Sequence, residues 1–467
     1  MIPTYWEGNE RDENLIKLTH VCRGWRELFT SRPSLWTRLD FKSLEKTKVY
    51  IERSKSSPLE FYPRLTQSTL RREEALALAI PHIGRLGALC VQANPPQLLP
   101  SLVKHFSCPL PFLRILKINV ARDPPPVLPE ELFNGDLSSL RELSLGGVIT
   151  QLPWRGLLNL TMFNFRRVPG DSILLIHLLN FLESAPRLRY VILHNSIPNP
   201  DGALVEKLVS LTHLKELSII TEQPHSALLG HLSIPAGALL RLEFSFSGLE
   251  SPIPSYLPNP RGTLHNLAHT TAVNLYFSLE QKSLRLTGPS GELYILGNWK
   301  RGDHKLRSGI GRFLSSLDQF DVSRTRWLAV TGCIYRPNML QIETWHIYKA
   351  LCPMDDLRTL TLTRCNNLHF IIVLNPTKNP SNTVLCPKLE EIVFYIEHSD
   401  HLRIKELLSM AEERASRGSK LPAITIVSAG ALAPTKEVFQ LRKHVSRVEC
   451  KFDDASPAWD VLPATWV

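Results

Sequence analysis

The spacing L-x-x-L-x-L recurs along most of the chain and is its main pattern of apolar positions. In each copy the last two apolar residues are separated by one outward residue, which is the period of a β-strand buried on one face. From residue 86 to residue 239 the copies follow each other in steps of 20 to 28 residues. The pattern predicts ten strands, at Trp36/Leu39/Phe41, Leu86/Leu89/Val91, Leu113/Leu116/Ile118, Leu140/Leu143/Leu145, Leu160/Phe163/Phe165, Leu188/Val191/Leu193, Leu214/Leu217/Ile219, Leu239/Leu242/Phe244, Leu357/Leu360/Leu362 and Leu389/Ile392/Phe394.

These steps are typical of leucine-rich repeats, whose units of about 20–29 residues combine a strand with a helix or an irregular return. One unit cannot bury its apolar side alone, whereas stacked units bury a continuous core between a parallel sheet and a layer of helices. We therefore predict an α/β fold in which residues 42–452 form an irregular leucine-rich-repeat-like solenoid, a horseshoe with a parallel inner sheet and outer helices. Residues 453–467 are predicted to be a tail.

The segments between the copies predict helices and one irregular region. Helices are expected at 43–55, at 172–185 with Asp171 as N-cap, at 199–210, and from about Asp400 to a stop at Gly418. Residues 250–312 break the repeat period with prolines and short alternating strands, which we interpret as repeats with longer excursions. Near the end, AITIV and RVECKF are predicted strands and KEVFQLRKHV a predicted helix.

Residues 1–41 precede the repeats and carry a helical pattern. Asp12 is a suitable N-cap for the predicted helix, and Pro33 ends it. Gly24 weakens the helix by about 1 kcal/mol relative to alanine, which predicts a close neighbour or a break there. Spacings of three and four residues place one set of side chains on the same face, namely Leu15, Leu18, Cys22, Trp25 and Phe29.

The string Leu18-x-x-Val21-Cys22-Arg23-x-Trp25-Arg26, followed by Pro33-Ser34-Leu35-Trp36, resembles the second half of the F-box motif of proteins abundant in mushroom-forming fungi. The later string Arg53-Ser54-x-x-Ser57-Pro58-Leu59 also resembles that family. F-box motifs dock on the Skp-type adaptor of a cullin ubiquitin ligase. The resemblance implies an adaptor interface, or the small core that shapes it, at Leu18, Val21, Cys22, Trp25, Leu35 and Trp36.

One part of the family motif has no counterpart in the sequence. The motif normally begins upstream with a Leu-Pro or similar pair and a first helix, whereas residues 1–14 are polar and open with Met-Ile-Pro. We therefore predict that the F-box-like motif at 1–41 is incomplete at its N-terminal side. A start codon further upstream and a degenerate motif both explain this departure.

A second interaction surface is predicted on the concave face of the sheet, where outward residues lie between and after the repeat leucines. A substrate protein would contact this face. At every position the alternative is a strand residue that only meets solvent. The candidates are Lys117, Asn119, Asn164, Arg166, His194, Glu243, Thr361, Thr363 and Tyr395.

Composition and charge narrow the function classes. The formal net charge of +10 is diffuse, without a run of five Lys or Arg, so a nucleic acid is not the expected partner. The longest apolar run, at 172–182, is too short to span a bilayer, and no signal-peptide pattern opens the chain. Eight scattered cysteines without a C-x-x-C pair indicate reduced thiols, which favours the cytoplasm or nucleus.

No pattern in the sequence indicates catalysis. H-E-x-x-H, Walker A and G-x-S-x-G motifs are absent, and Cys352, Cys365 and Cys386 lack the short paired spacing of a zinc site. We predict no metal, no cofactor and no enzymatic activity. The predicted function is a non-catalytic, substrate-recruiting subunit of a Skp–cullin–F-box type ubiquitin ligase. The alternative is a leucine-rich-repeat interaction scaffold without ligase association.

Overall fold

Strands that pair mostly in parallel alternate with short helices along the chain, so the fold is α/β. The computed structural model describes residues 8–65, 70–94, 98–106, 108–121, 125–128, 133, 137–150, 157–167, 174–196, 207–221, 226–246, 270–277, 281–288, 291–299, 317, 320–332, 344–365, 367–396, 402–428 and 436–452. The chain divides into two units, Met1–Leu214 and Lys215–Val467.

The first unit begins with two helices and continues with short parallel strands. Its helices are α1 Gly8–Thr19, α2 Arg23–Thr30, α3 Leu44–Ser54, α4 Leu70–Ala79, α5 Leu98–Val103 and α6 Leu175–Ser184, with 3-10 helices at Pro33–Leu35, Ile80–Arg85 and Lys104–Phe106. Its strands are β1 Arg38–Leu39, β2 Leu59–Phe61, β3 Arg64–Leu65, β4 Leu86–Ala93, β5 Ile115–Val120, β6 Val127–Leu128, β7 Glu142–Gly146, β8 Ile149–Thr150, β9 Met162–Arg166, β10 Tyr190–His194 and β11 Val209–Ser210.

The main strands of this unit pair in parallel in the order β1, β2, β4, β5, β7, β9 and β10. The register joins equivalent positions of successive repeats, so that Leu116 lies beside Leu143, Leu143 beside Phe163, and Phe163 beside Val191. Such pairing gathers the inward apolar residues into one buried layer. Helix α6 adds to this core through Phe181, whose ring centroid lies 4.3 Å from that of Phe163.

The second unit contains the remaining elements. Its strands are β12 Glu216–Thr221, β13 Leu232–Ser233, β14 Leu239–Phe246, β15 Ala272–Phe277, β16 Gln281–Gly288, β17 Gly291–Trp299, β18 Trp327–Gly332, β19 Thr359–Thr363, β20 Glu391–Ile396, β21 Ala423–Ser428 and β22 Arg447–Phe452. Its helices are α7 Ser226–Gly230, α8 Thr344–Leu351, α9 Asn367–Leu374, α10 Ile404–Ser416 and α11 Lys436–His444.

The sheet of the second unit departs from the predicted all-parallel arrangement. Strand β12 pairs in parallel with β14 and β14 with β17, whereas β16 runs antiparallel to both β17 and β15. From β15 the parallel order resumes through β18, β19, β20, β21 and β22. The three strands predicted in the irregular region therefore lie within the sheet. Its remaining segments, 250–269 and 300–312, lie outside the described residues.

One predicted repeat copy was placed in the wrong register. The copy at Leu239/Leu242/Phe244 assigns Leu239 to the core, but Leu239 is half-buried and Leu240 is fully buried. The pairing of β12 with β14 sets Leu217 beside Leu240 and Ile219 beside Leu242. The segment LLRLEF holds two overlapping pairs of alternating apolar residues, Leu240/Leu242 and Leu242/Phe244, and the neighbouring strand selects the first.

Several predicted helices have different boundaries. The single N-terminal helix is two helices, because the chain breaks at residues 20–22 and not at Gly24, and Asp12 lies inside α1. Helix α6 starts at Leu175 with Leu174 as N-cap, so the predicted start near Asp171 was wrong. The C-terminal end of the predicted 199–210 helix is a strand, Val209–Ser210, and residues 199–206 are outside the described ranges.

The helix predicted from about Asp400 begins at Ile404, and its predicted end is confirmed. Gly418 follows it with φ of +78°, a left-handed conformation that glycine adopts without strain. The Ser419 amide donates to the Arg414 carbonyl at 2.9 Å, which satisfies one of the last helical carbonyls. Helix α3 over 43–55 and the terminal elements β21, α11 and β22 also lie where the sequence predicts them.

Candidate functional site

Four large apolar side chains are exposed within the first two helices and the turn between them. They form what we call the apolar surface, with exposed fractions of 41% for Ile16, 61% for Val21, 44% for Trp25 and 51% for Leu28. Trp25 and Leu28 are three residues apart in α2 and so share a helix face. The Phe29 ring packs edge-on to the Trp25 ring at a centroid distance of 5.9 Å.

Helix α2 buries none of its eight residues and is held by its ends. The Cys22 thiol accepts a hydrogen bond from the Trp25 amide at 3.5 Å and so caps the N-terminus. The Arg26 side chain donates to the Thr19 carbonyl of α1 at 3.0 Å. At the other end the Trp36 indole donates to the Phe29 carbonyl at 2.9 Å. An isolated helix this short is marginal in water, so these contacts fix its position while leaving its apolar face open.

Trp36 was predicted at the adaptor interface or in the small core that shapes it, and it lies in the core with an exposed fraction of 1%. Its ring stands edge-on to Tyr50 at 5.1 Å, and the Arg53 guanidinium covers the ring at 4.4 Å. Trp36 therefore anchors α2 to the sheet and is not a surface contact. This matches its place as the first apolar residue of the first repeat copy.

The other residues implied by the F-box resemblance remain accessible to different degrees. Val21, Cys22 and Trp25 are exposed, whereas Leu18 and Leu35 are half-buried. Of the polar lead at residues 1–14, residues 8–14 belong to helix α1, and residues 1–7 lie outside the described residues, so the missing first helix stays a prediction. Within the described part, α1 and α2 are the helices that precede the first strand.

The predicted substrate face falls into separate groups. In the first unit, the register places Asn119, Arg166 and His194 in one row through Gly146, and sets Lys117 and Asn164 in the next row through Ser144. In the second unit, Thr363 lies beside Tyr395, and Thr361 begins the adjacent row. Glu243 lies apart on β14, beside Ile220 and Leu296.

Some of these residues have intramolecular partners or little exposure. Lys117 forms an ion pair with Glu142 at 3.0 Å, and the Arg166 side chain donates to Asn164 Oδ1 at 3.2 Å. The exposed fractions of Asn164 and Thr363 are only 5% and 8%. These two side chains are therefore too buried to be open contact residues, and their prediction as such was wrong. Asn119 and Arg166 are exposed.

A polar group that the sequence did not single out lies at the start of the same sheet. The Arg38 guanidinium covers the Tyr62 ring at 3.9 Å, and the Tyr62 hydroxyl donates to Glu60 at 3.3 Å. Burial raises the pKa of the Cys90 thiol to about 11, so this thiol stays protonated at neutral pH. Burial also raises the pKa of Tyr62. The charged groups of Arg38 and Glu60 both contact Tyr62 within the group. The protonated Cys90 thiol is not a ready nucleophile.

Within the described residues, no group of three or more His, Cys, Asp or Glu side chains is arranged to hold a metal ion. No helix in those ranges has the length and apolar character needed to cross a bilayer. What the arrangement offers chemically is binding through apolar and charged surfaces.

Comparison with known proteins adds no family assignment. No protein-family model and no curated protein sequence matched the chain.

Proposed function

We propose that this protein is a non-catalytic, substrate-recruiting subunit of a Skp–cullin–F-box type ubiquitin ligase that works in the cytoplasm or nucleus. The apolar surface would dock on the Skp-type adaptor, and the repeats would hold a substrate protein. The acceleration of ubiquitin transfer would come from the raised effective concentration of the substrate near the conjugating enzyme.

The observation that carries this proposal is the exposed apolar face of α2. A tryptophan and aliphatic side chains on a helix that buries nothing are typical of an interface awaiting a partner. Trp25 on this face, together with the exposed Val21 and Cys22 just before the helix, forms the core of the string that resembles the F-box motif. Two independent features, resemblance and exposure, thus favour the same short segment.

The finer fold assignment belongs to the same proposal. We infer that both units consist of irregular leucine-rich repeats, which is supported by parallel strands whose repeat leucines lie in register. Trp36 donates a hydrogen bond to helix α2 and is also the first apolar residue of the first repeat copy. The F-box-like helices therefore contact the first repeat directly. A rigid junction of this kind would hold the substrate surface at a fixed place relative to the adaptor.

An interaction scaffold without ligase association is the second candidate. It needs only the repeats, whose sheet exposes the polar residues Asn119 and Arg166, and it does not depend on the F-box resemblance. In that case the repeats would still bind protein partners, and the apolar surface would serve a partner other than a Skp-type adaptor.

Co-purification of the full 467-residue chain with a Skp-type adaptor tests the proposal. We expect binding by the wild-type chain and at least a tenfold loss, ~1.4 kcal/mol or more, in the double variant Val21→Asp/Trp25→Ala. The matched control is Val127→Asp/Phe439→Ala, because Val127 and Phe439 are exposed by 59% and 56% and lie outside the apolar surface.

The control should bind as the wild type does, and circular dichroism should show that both variants fold. A wild-type chain that fails to bind the adaptor would overturn the ligase proposal and leave the scaffold. Equal losses in the two double variants would show that the apolar surface is not the docking site.

A further inference from the structure

A row of five equivalent positions, three of them arginines, lies along the strand-start edge of the first unit. We call it the arginine rim, and its five positions are Gly87, Arg114, Arg141, Thr161 and Arg189. Each residue follows the first apolar residue of a repeat copy, and each backbone amide donates to the preceding member. The Arg114 amide donates to Gly87 at 2.8 Å, Arg141 to Arg114 at 2.8 Å, Thr161 to Arg141 at 2.8 Å and Arg189 to Thr161 at 2.9 Å.

The backbone ladder fixes the spacing of the side chains. Adjacent strands are about 4.8 Å apart, so Arg114 and Arg141 lie about one strand spacing apart and Arg189 about two spacings further. All three arginines are exposed. Because equivalent positions of stacked strands project in equivalent directions, the row presents its guanidinium groups on one edge.

Within the described residues, none of the three arginines forms an ion pair. Glu142, the residue directly after Arg141, is paired with Lys117 at 3.0 Å. Like charges held this close repel each other, and an anionic partner would remove that cost. Guanidinium groups are also suited to bidentate contact with carboxylates.

The loop edge next to the rim adds further binding groups. Arg187 is exposed and donates to the Asn159 side chain at 2.9 Å, which places a fourth arginine beside Arg189. Phe112 and Leu158 are large apolar residues exposed in the same turns. The edge therefore combines positive charge with two separated apolar contacts.

We propose that the arginine rim binds an extended, acidic protein segment that carries apolar residues between its carboxylates. The rim spans four strand spacings, about 19 Å, which an extended chain of about six residues covers. Calling this segment a substrate rests on the proposed function, whereas the binding itself does not.

The surroundings favour a peptide over a single-stranded nucleic acid. Single strands are held by several aromatic side chains on which successive bases stack, together with a basic groove. Among the described residues of this edge, the exposed aromatic rings beside the rim arginines are Phe112 and Tyr190, and they belong to repeat copies three strands apart, too far from each other to stack successive bases. Isolated apolar contacts between cations fit the alternating side chains of an extended peptide better.

Fluorescence anisotropy with a labelled twelve-residue peptide of alternating Glu and Leu tests the proposal on the full-length chain. We expect binding at low salt that weakens as salt rises from about 50 to 200 mM, because exposed charges are screened. The triple variant Arg114→Gln/Arg141→Gln/Arg189→Gln should bind at least about tenfold more weakly. A peptide of alternating Gln and Leu is the ligand control.

The matched protein control is Arg326→Gln/Arg358→Gln/Lys388→Gln, which removes the same charge from the second unit and should bind as the wild type does. Equal binding by the rim variant, or no binding by the wild type, would overturn the proposal. Tighter binding of a twelve-nucleotide thymidine strand, lost in the rim variant, would overturn it in favour of a nucleic acid. Adaptor binding is measured separately, so either proposal can fail alone.

Discussion

The strand-start edges of the two units occupy the same repeat position but handle charge differently. In the second unit the equivalent ladder runs from Arg326 to Arg358 to Glu390, with amide-to-carbonyl distances of 2.9 and 2.7 Å. Arg358 pairs with Glu390 on the next strand at 3.1 Å, and Lys388 pairs with Asp356 at 2.5 Å. In the first unit the arginine rim has no such acidic partners among the described residues.

The difference shows that the repeat backbone does not dictate the charge at this edge. Both edges are exposed, and both place successive strands side by side. Either edge could therefore carry an acidic residue beside a basic residue of the next strand. The second edge is not free of excess charge, because Arg324 and Lys420 are also exposed there. What separates the two edges is pairing across strands, and the unpaired edge is the one suited to an external anion.

The largest expected effect comes from reversing the charge of the rim. Arg114→Glu/Arg141→Glu/Arg189→Glu should abolish measurable binding of the Glu-Leu peptide and create binding of a Lys-Leu peptide of equal length, because repulsion changes to attraction. Anisotropy with both peptides measures the exchange. The same reversal at Arg326, Arg358 and Lys388 is the control and should leave Glu-Leu binding within about twofold.

A reversed rim that binds neither peptide, with an unchanged circular dichroism spectrum, would show that the first edge is not a charge-selective surface. The difference in charge pairing between the two edges would then have no effect on peptide binding.

The fold was predictable where burial imposes a period. Leu113, Leu140, Leu160 and Leu188 are each buried as the repeat pattern requires, because an outward slip would expose every apolar residue of the strand. The prediction failed at Leu239, where LLRLEF permits two registers, and at Val209–Ser210, where a helical pattern of apolar residues forms a strand. In both places, local pattern alone could not choose the structure.

The candidate sites were harder to predict, because outward positions follow no period. Asn164 is buried between Ser144 and Ile192, which lie 20 and 28 residues away in the sequence, and Lys117 finds its ion-pair partner on the next strand. The rim arginines do leave a signal, since an arginine follows the leading leucine in the copies at 113, 140 and 188. That signal identifies an unpaired row of arginines only when the strand pairing shows which carboxylates lie near them.

Removing the acidic partners from the second edge should have an intermediate effect on peptide binding. In the variant Asp356→Asn/Glu390→Gln, Arg358 and Lys388 lose their partners, so the second edge comes to resemble the arginine rim. We expect Glu-Leu peptide binding to increase by about threefold to tenfold through this second site. Anisotropy in the background of the rim triple variant isolates the new site, and Glu412→Gln/Glu413→Gln, which removes the same charge elsewhere in the second unit, is the control.

If the double variant and the control gain equally, net charge and not local pairing determines binding. If neither gains, unpaired arginines on this edge are insufficient, and the apolar residues Phe112 and Leu158 of the first edge become the discriminating feature.

The smallest effect concerns the titration of Asp356. The ammonium of Lys388, through a hydrogen bond and its charge, holds the pKa of the Asp356 carboxyl below its ordinary value, and Arg326 and Arg358 act in the same direction. A carboxylate whose pKa is lowered in the folded state contributes stability above its ordinary pKa, and this contribution is lost as pH falls through the lowered value. The contribution is slight because the pair is exposed to solvent.

Carboxyl carbon shifts followed by NMR between about pH 6 and pH 2 measure this titration directly. Lys388→Gln should move the midpoint of Asp356 upward towards the ordinary aspartate value, whereas Lys388→Arg should keep it low because it retains the charge. An unchanged midpoint in Lys388→Gln would mean that the pair does not form in solution. The second edge would then hold an unpaired lysine, and the contrast with the arginine rim would rest on Arg358 and Glu390 alone.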